Sequence, residues 1–146
     1  MDLNFITDFC VMADGGCRGN HDKSIPNDAY GSWAIATKLF NKGISKYPNI
    51  PFGNHTNNEA EYMAQISGVH ALIGVIEIAG WKPEAFSVTI RSDSRNLIGQ
   101  CSGQFTGKVA ENIQPLKAEL LSLTSRFKEV VWEKVPRGDM VAEFNH

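Results

Sequence analysis

Long apolar runs, excess basic charge and paired cysteines are all missing from this chain, and each absence removes a class of function. No apolar stretch is long enough to span a bilayer. The net charge is −2, so nucleic acid cannot be held by bulk attraction. Any such contact has to be local, through metals and a few placed groups. Cysteine is limited to Cys10, Cys17 and Cys101. The number is odd and no pair has zinc-like or redox spacing. Free thiols in a reducing compartment are therefore expected, and a catalytic cysteine is not. His21, His55 and His70 also show no ligand spacing. The start, Met1-Asp2-Leu3-Asn4, lacks the basic and apolar regions of a signal peptide, which makes cytoplasmic residence the expectation. With 146 residues, 42% of them hydrophobic, the chain fits one domain spanning 1–146 with a proper core.

What is present is an alternation of strand-like and helix-like segments. Residues 5–13 are apolar and β-prone and predict a first strand, which Gly15, Gly16 and Gly19 break. Tyr30 to Phe40 alternates Trp33, Ile35 and Leu39 against smaller or polar neighbours and predicts a second. After the turn at Asn41-Lys42-Gly43, Ile44 to Phe52 returns as a third strand. Pro48 and Pro51 make that strand irregular or put it at an edge. Thr56 and Asn57 are good caps for a helix carrying Ala60, Ala64, Gly68, Ala71 and Val75 at helical spacing, a small-residue stripe suited to close packing on a sheet. That helix runs to about Ala79, where Gly80 stops it. A strand over Phe86–Arg91, a short helix over Ser94–Cys101, a helix over Pro115–Phe127, a strand over Val130–Val135 and a last short helical segment follow. The order is β-β-β-α-β-α-α-β-α, without repeats or linkers.

Three carboxylates stand at informative places in that order. Asp14 ends the first apolar run, Glu61 lies in the first turns of the long helix, and Asp93 follows the fourth strand. Each alone has an ordinary reading: a turn residue before two glycines, a solvated first-turn acid favoured by the helix dipole, a helix cap. Together they can converge in a mixed α/β domain. Converged carboxylates repel one another and call for cations, and hard oxygen donors with room for substrate phosphates suit Mg²⁺. That set points to metal-assisted phosphodiester chemistry.

The motifs around these acids resemble those of type 1 ribonuclease H over nearly the whole chain. That family opens with Asp-Gly-Ser-x-x-x-Asn, here Asp14-Gly15-Gly16-Cys17-Arg18-Gly19-Asn20. Its Thr-Asn-Asn-x-x-Glu reads Thr56-Asn57-Asn58-Glu59-Ala60-Glu61, and its Ser/Thr-Asp-Ser reads Ser92-Asp93-Ser94. The resemblance implies an α/β ribonuclease H-like fold, with a five-stranded mixed sheet of three antiparallel and then parallel strands flanked by helices. It implies an endonuclease cutting the RNA strand of RNA–DNA hybrids by two-metal hydrolysis with Mg²⁺ or Mn²⁺, leaving 5′-phosphate and 3′-hydroxyl ends. Asp14 would bridge the ions and Glu61 and Asp93 would flank it. Asn20, Asn57 and Asn58 fall at the positions that read RNA 2′-hydroxyls, a task suited to amides, which both donate and accept. Thr56 matches a contact to a DNA-strand phosphate, although capping the helix is an equally physical use of its hydroxyl. Arg95 falls where the family often has Gln and offers a backbone-phosphate contact, or is a solvated helix arginine. Family analogy implies a monomer with no obligate protein partner and no membrane association.

The chain departs from the pattern in three places. The fourth acid is missing from its usual phrase, and the end reads Val135-Pro136-Arg137-Gly138-Asp139-Met140-Val141-Ala142-Glu143-Phe144-Asn145-His146. Either Asp139-x-x-Ala142-Glu143 imitates the phrase with Glu143 as the acid, or Asn145 holds the position. A helical wheel with Met140, Val141 and Phe144 as the core face favours Asn145. An amide there removes one negative charge, which weakens the second metal and shifts preference toward Mn²⁺. The family's basic protrusion is also absent: from Gly107 through Ser125 only Lys108 and Lys117 are basic. The loop histidine associated with product release has no clear counterpart; Arg137 stands at that loop, and His146 reads as a terminal residue. Two other readings compete, a nuclease of the same fold with a different substrate and a noncatalytic hybrid-binding module.

Overall fold

The computed structural model describes residues 1–19 and 24–145. Its elements are β1 (Phe9–Arg18), β2 (Asp28–Thr37), β3 (Lys42–Gly53), α1 (Asn57–Ile78), a 3₁₀ turn (Pro83–Ala85), β4 (Ser87–Ser92), α2 (Arg95–Cys101), α3 (Gln114–Thr124), β5 (Glu129–Lys134) and α4 (Arg137–Phe144). The strands form one mixed sheet in the order β3-β2-β1-β4-β5. β1, β2 and β3 pair antiparallel, whereas β4 runs parallel to both β1 and β5. This is the five-stranded architecture that the motif resemblance implies.

The first strand differs from the sequence expectation. It begins at Phe9 rather than residue 5, and it is not broken at the glycines. The ladder continues through Asp14↔Ser32, Gly15↔Gly31 and Gly16↔Tyr30. Glycine weakens a strand but is tolerated where another backbone or a ring comes close, and both happen here. A Cβ on Gly15 would fall inside the backbone of Ala60 and Glu61, and one on Gly16 inside the Tyr30 ring. At the other end of the hairpin, β2 stops at Thr37. Leu39 and Phe40 are exposed in the turn rather than alternating in a strand. β3 is an edge strand whose register shifts in three places, two of them beside Pro48 and Pro51.

α1 begins with a reciprocal capping box. Thr56 Oγ1 accepts from the Glu59 N–H at 3.2 Å, and the Glu59 carboxylate accepts from the Thr56 N–H at 2.8 Å. The helix lies on the sheet through its small-residue stripe. Ala60 and Ala64 are fully buried, and a Cβ on Gly68 would come within 2.7 Å of Val11 and 3.0 Å of Trp33. Leu72, Ile73 and Ile76 continue the buried face, with Leu97, Ile113, Leu120 and Phe127 closing the core beneath α2 and α3. Val75, at the end of the stripe, is exposed.

The opposite face of the sheet is covered by α4, whose Met140 and Phe144 pack with Met12, Ala34 and Val135. Val141, expected in that core face, is 45% exposed. Arg91 is buried in β4, and it is satisfied: it donates to the Asp2 and Asn4 carbonyls and to Glu133 at 3.1 Å. A buried charge with a full set of partners ties the N-terminal segment across the sheet.

The α1–sheet contact sets opposite expectations for two glycines of one helix. Gly68→Val forces side-chain volume into a closed contact and should cost about 1–3 kcal/mol. Gly74, whose added Cβ meets nothing within 4 Å, should gain about 0.5–1 kcal/mol on replacement by Ala. Urea denaturation of the two variants measures both signs.

Candidate metal centre

β1 and β4 stay paired only as far as Met12↔Arg91. Beyond that, β4 ends at Ser92 while β1 runs on beside β2 alone. The opening lies at the carboxyl ends of parallel strands, where such sheets leave a crevice for ligands. Asp14 projects from β1 two residues past the last pair. Asp93 sits in the turn between β4 and α2, which is fixed by the Ser94 side chain accepting from Leu97 N–H at 3.1 Å. Glu61 descends from the second turn of α1, which presses against β1 at the side-chain-free Gly15. The Gly15 N–H donates to Glu61 Oε2 at 3.2 Å and orients it. One carboxylate oxygen from each of Asp14, Glu61 and Asp93 lies within 4.8 Å of the others.

The cluster is largely buried and only partly compensated. Asp14 is 1% exposed and Glu61 7%. Burial, reinforced by the charges of Asp14 and Asp93, pushes the Glu61 carboxyl up from its ordinary 4.5 to about 9. The Gly15 N–H and Arg137 oppose the rise without cancelling it. Asp93 Oδ1 is buried and has no hydrogen-bond partner among the described residues. A native structure rarely leaves such an atom unanswered unless an ion or water belongs there. Hard oxygen donors at this spacing, with one carboxylate oxygen lacking a donor, fit a small divalent cation such as Mg²⁺ or Mn²⁺. Arg137, the first residue of α4, also reaches in. Its Nη1 is 3.2 Å from Asp93 Oδ2 and 4.0 Å from Asp14 Oδ1.

The remaining candidates divide by position. Thr56, Asn57 and Asn58 are exposed at the start of α1, on the same end of the helix as Glu61, with the Thr56 hydroxyl engaged in the cap. Arg95 is exposed on α2, its guanidinium 5.0 Å over the Phe105 ring. Phe105 is pinned in turn by its N–H to the Gly99 carbonyl at 2.9 Å. Asn20 and His146 lie outside the described residues.

For the fourth position, the structure alters the premises. α4 ends at Phe144, and Asn145 is an exposed C-cap in the left-handed region, φ 58°. The helical wheel that pointed to Asn145 therefore does not extend to it, and Val141 is not part of the core face on which that wheel was centred. Glu143 is engaged elsewhere: its carboxylate is 2.8 Å from the Met1 ammonium and 3.7 Å from Lys46 Nζ. It is not a member of the converging acid group.

Several contributors escaped sequence reasoning. Gly15 read as a strand breaker, and its adjacency to Asp14 was the available signal for a close approach. Gln65, one turn after Glu61 and fully buried, donates to the Arg91 carbonyl at 3.0 Å and joins α1 to the strand that delivers Asp93. Arg137 reads as a loop residue in the sequence but opens α4 and faces Asp93. An apolar cleft of about 260 Å³ lined by residues such as Phe9, Phe40, Ile44 and Trp81 lies toward the far end of α1 and shares no residue with the carboxylates.

Solved structures similar to this chain include ribonucleases H. The N-terminal ribonuclease H domain of a Mycobacterium tuberculosis protein is 25% identical, with a TM-score of 0.70 over 90% of this chain and 88% of that one. Ribonuclease H1 from the halophilic archaeon Halobacterium salinarum is 22% identical, with a TM-score of 0.71 over 90% and 87%. A ribonuclease H1 designated LC11, solved in complex with an RNA/DNA hybrid, is 23% identical, with a TM-score of 0.71 over 90% and 87%. No family model and no curated protein sequence matches the chain. The chain therefore has the ribonuclease H fold, and several of its structural neighbours are ribonucleases H1, the kind that the motifs resemble.

The raised Glu61 carboxyl fixes a sign for stability in the metal-free protein. Below its ordinary value of 4.5 the group is protonated both folded and unfolded. Above that, the unfolded chain ionises first, so this group's contribution to stability falls as pH rises toward the folded value of about 9. Thermal melts in chelator should therefore show a declining midpoint between about pH 5 and about pH 9 that Glu61→Gln flattens. An equal slope in that variant removes Glu61 as its source.

Proposed function

We propose that this chain is a metal-dependent endoribonuclease that cleaves the RNA strand of RNA–DNA hybrids, giving 5′-phosphate and 3′-hydroxyl ends. The observation that carries the reading is the convergence of Asp14, Glu61 and Asp93 within 4.8 Å at the open end of the β1–β4 pair, in a ribonuclease H fold. Asp14, Glu61 and Asp93 would hold the cations, Mg²⁺ or Mn²⁺, with Asp14 central. Bound there, divalent cations supply activation of a water and stabilisation of the leaving oxygen. The protein's part is to fix three carboxyl groups in place before substrate arrives. Gly15 and Gln65 position Glu61 and the Asp93 strand, so that little reorganisation is left for the reaction.

Substrate choice falls to the rim. Asn57 and Asn58, exposed on the end of α1 that carries Glu61, are assigned the RNA strand, since an amide can donate to and accept from a 2′-hydroxyl, the group that separates RNA from DNA. Asn20 is assigned the same task from its motif. Arg95, held on Phe105, is a phosphate contact, and Thr56 keeps the start of α1 rigid while its exposed position faces a DNA-strand phosphate. The neighbour solved with an RNA/DNA hybrid supports this substrate class. With net charge −2 and few placed cations, hybrid affinity should be modest and fall steeply with salt. A second reading, a hybrid-binding module without catalysis, is favoured by one observation: the acid group counts three members among the described residues, and Glu143 is tied to Met1 and Lys46.

A labelled hybrid, matched duplex DNA and duplex RNA incubated with Mg²⁺ or Mn²⁺ separate the readings. Cutting of the hybrid's RNA strand alone is expected, and binding without cutting selects the second reading. Asp14→Asn should lower the rate roughly a thousandfold or more while the fold is kept, since it neutralises the central ligand. Near-normal activity in that variant removes Asp14 from the site.

Asn145 is the proposed fourth ligand position from its place in the motif resemblance, not from the helical wheel. Asn145→Asp should then lower the Mg²⁺ concentration for half-maximal rate, because the added charge attracts the ion. Glu143→Gln should leave that concentration unchanged and destabilise the protein by loosening the Met1 contact. If the two variants exchange these effects, Glu143 is the ligand; if both are silent, neither is.

A further inference from the structure

Arg137 has an unusual position for a cation. It is the first residue of α4, where the helix dipole and unsatisfied N–H groups disfavour positive charge. Pro136 precedes it with no side-chain cap. Its guanidinium nonetheless turns toward the carboxylates, 3.2 Å from Asp93 Oδ2 and 4.0 Å from Asp14 Oδ1. The attraction that overcomes the dipole comes from the two acids. Arg137 is 63% exposed, whereas Asp14 is 1% exposed and the Asp93 side chain 8%. The anions are fixed in the floor and the cation lies over them from outside, on a long side chain that gives up little packing by leaving.

We propose that Arg137 is the resident counter-cation of the carboxylate cluster, and that metal binding in this protein is an exchange in which the guanidinium is displaced. This rests on the metal-dependent reading above. A divalent ion within the three-carboxylate cluster would lie close to the guanidinium and be repelled by it, even on the oxygens that Arg137 leaves free. Each metal that binds must therefore overcome the ion pairs Arg137 already makes. The same contact stabilises the metal-free protein, in which buried carboxylates otherwise repel one another. Arg137 thus raises the metal concentration at which the site fills and protects the fold when metal is scarce.

The test needs no substrate. Mn²⁺ binding to the wild-type chain, Arg137→Gln and Arg137→Lys is followed by the electron paramagnetic resonance signal of the free ion, alongside thermal melts in chelator. Arg137→Gln should bind Mn²⁺ roughly three- to tenfold more tightly than wild type and melt at a lower temperature without metal. Arg137→Lys, which keeps the charge but loses the fork, should fall between them and serves if the glutamine variant is too unstable to handle. Equal or weaker Mn²⁺ binding in both variants overturns the exchange while leaving the metal site standing. No Mn²⁺ binding by any of the three overturns the metal-dependent reading and the exchange together.

Discussion

The contact on which the rest depends is the approach of the first turns of α1 to β1 at Gly15. Strand and helix meet there with no Cβ between them, and a single added carbon would fall inside the backbone of Ala60 and Glu61. That closeness puts Glu61 beside Asp14 and lets the Gly15 N–H hold the Glu61 carboxylate. The capping box at Thr56 and Glu59 fixes where the helix starts. Ala60, Ala64 and Gly68 keep it low on the sheet for its next turns. β4 contributes the third acid by ending where β1 continues. The small-residue stripe and the acid cluster are thus one construction, in which close packing sets the distance between charges.

Such a cluster works against the stability of the metal-free fold. Desolvation and mutual repulsion drive the Glu61 carboxyl to about 9, so the cluster holds a proton at neutral pH when no metal is bound. Asp93 keeps a buried oxygen without a donor among the described residues. A strongly shifted carboxyl in a crevice with other acids points to a functional site, since a structural role would be met at lower cost by paired or apolar residues. The opposing forces are local: one backbone N–H and one guanidinium, with the Gln65 tie to the Arg91 carbonyl behind them.

Much of this was legible in the sequence, for identifiable reasons. Element order followed from periodicity and from strong punctuation at Thr56, Gly80 and Pro136. The three acids were legible because each sits in a short phrase with its own local geometry. Contacts between segments distant in sequence were not. Gly15 and Gly16 look like breakers until Ala60 and Tyr30 are placed against them. Val141 looks like core until α4 is seen to bury only Met140 and Phe144. Asn145 looks like a helical position until α4 is seen to end one residue before it. Arg137 looked like a loop cation because no local pattern reveals that two acids 44 and more than 100 positions earlier lie beneath it. Phe105 gave no signal as a platform for Arg95, since ring stacking across a turn follows no period.

The most direct measurement is an anomalous difference map from crystals grown with Mn²⁺ and an RNA–DNA hybrid bound to the Asp93→Asn variant, with a wild-type Mn²⁺ soak beside it. The expected result is anomalous density at the open end of β1 and β4, ligated by the Asp14 and Glu61 carboxylates in both crystals and by Asp93 in wild type, with the Arg137 guanidinium moved off the acids. Density elsewhere, or none at the three carboxylates in wild type, would contradict a metal centre built on the Gly15 contact.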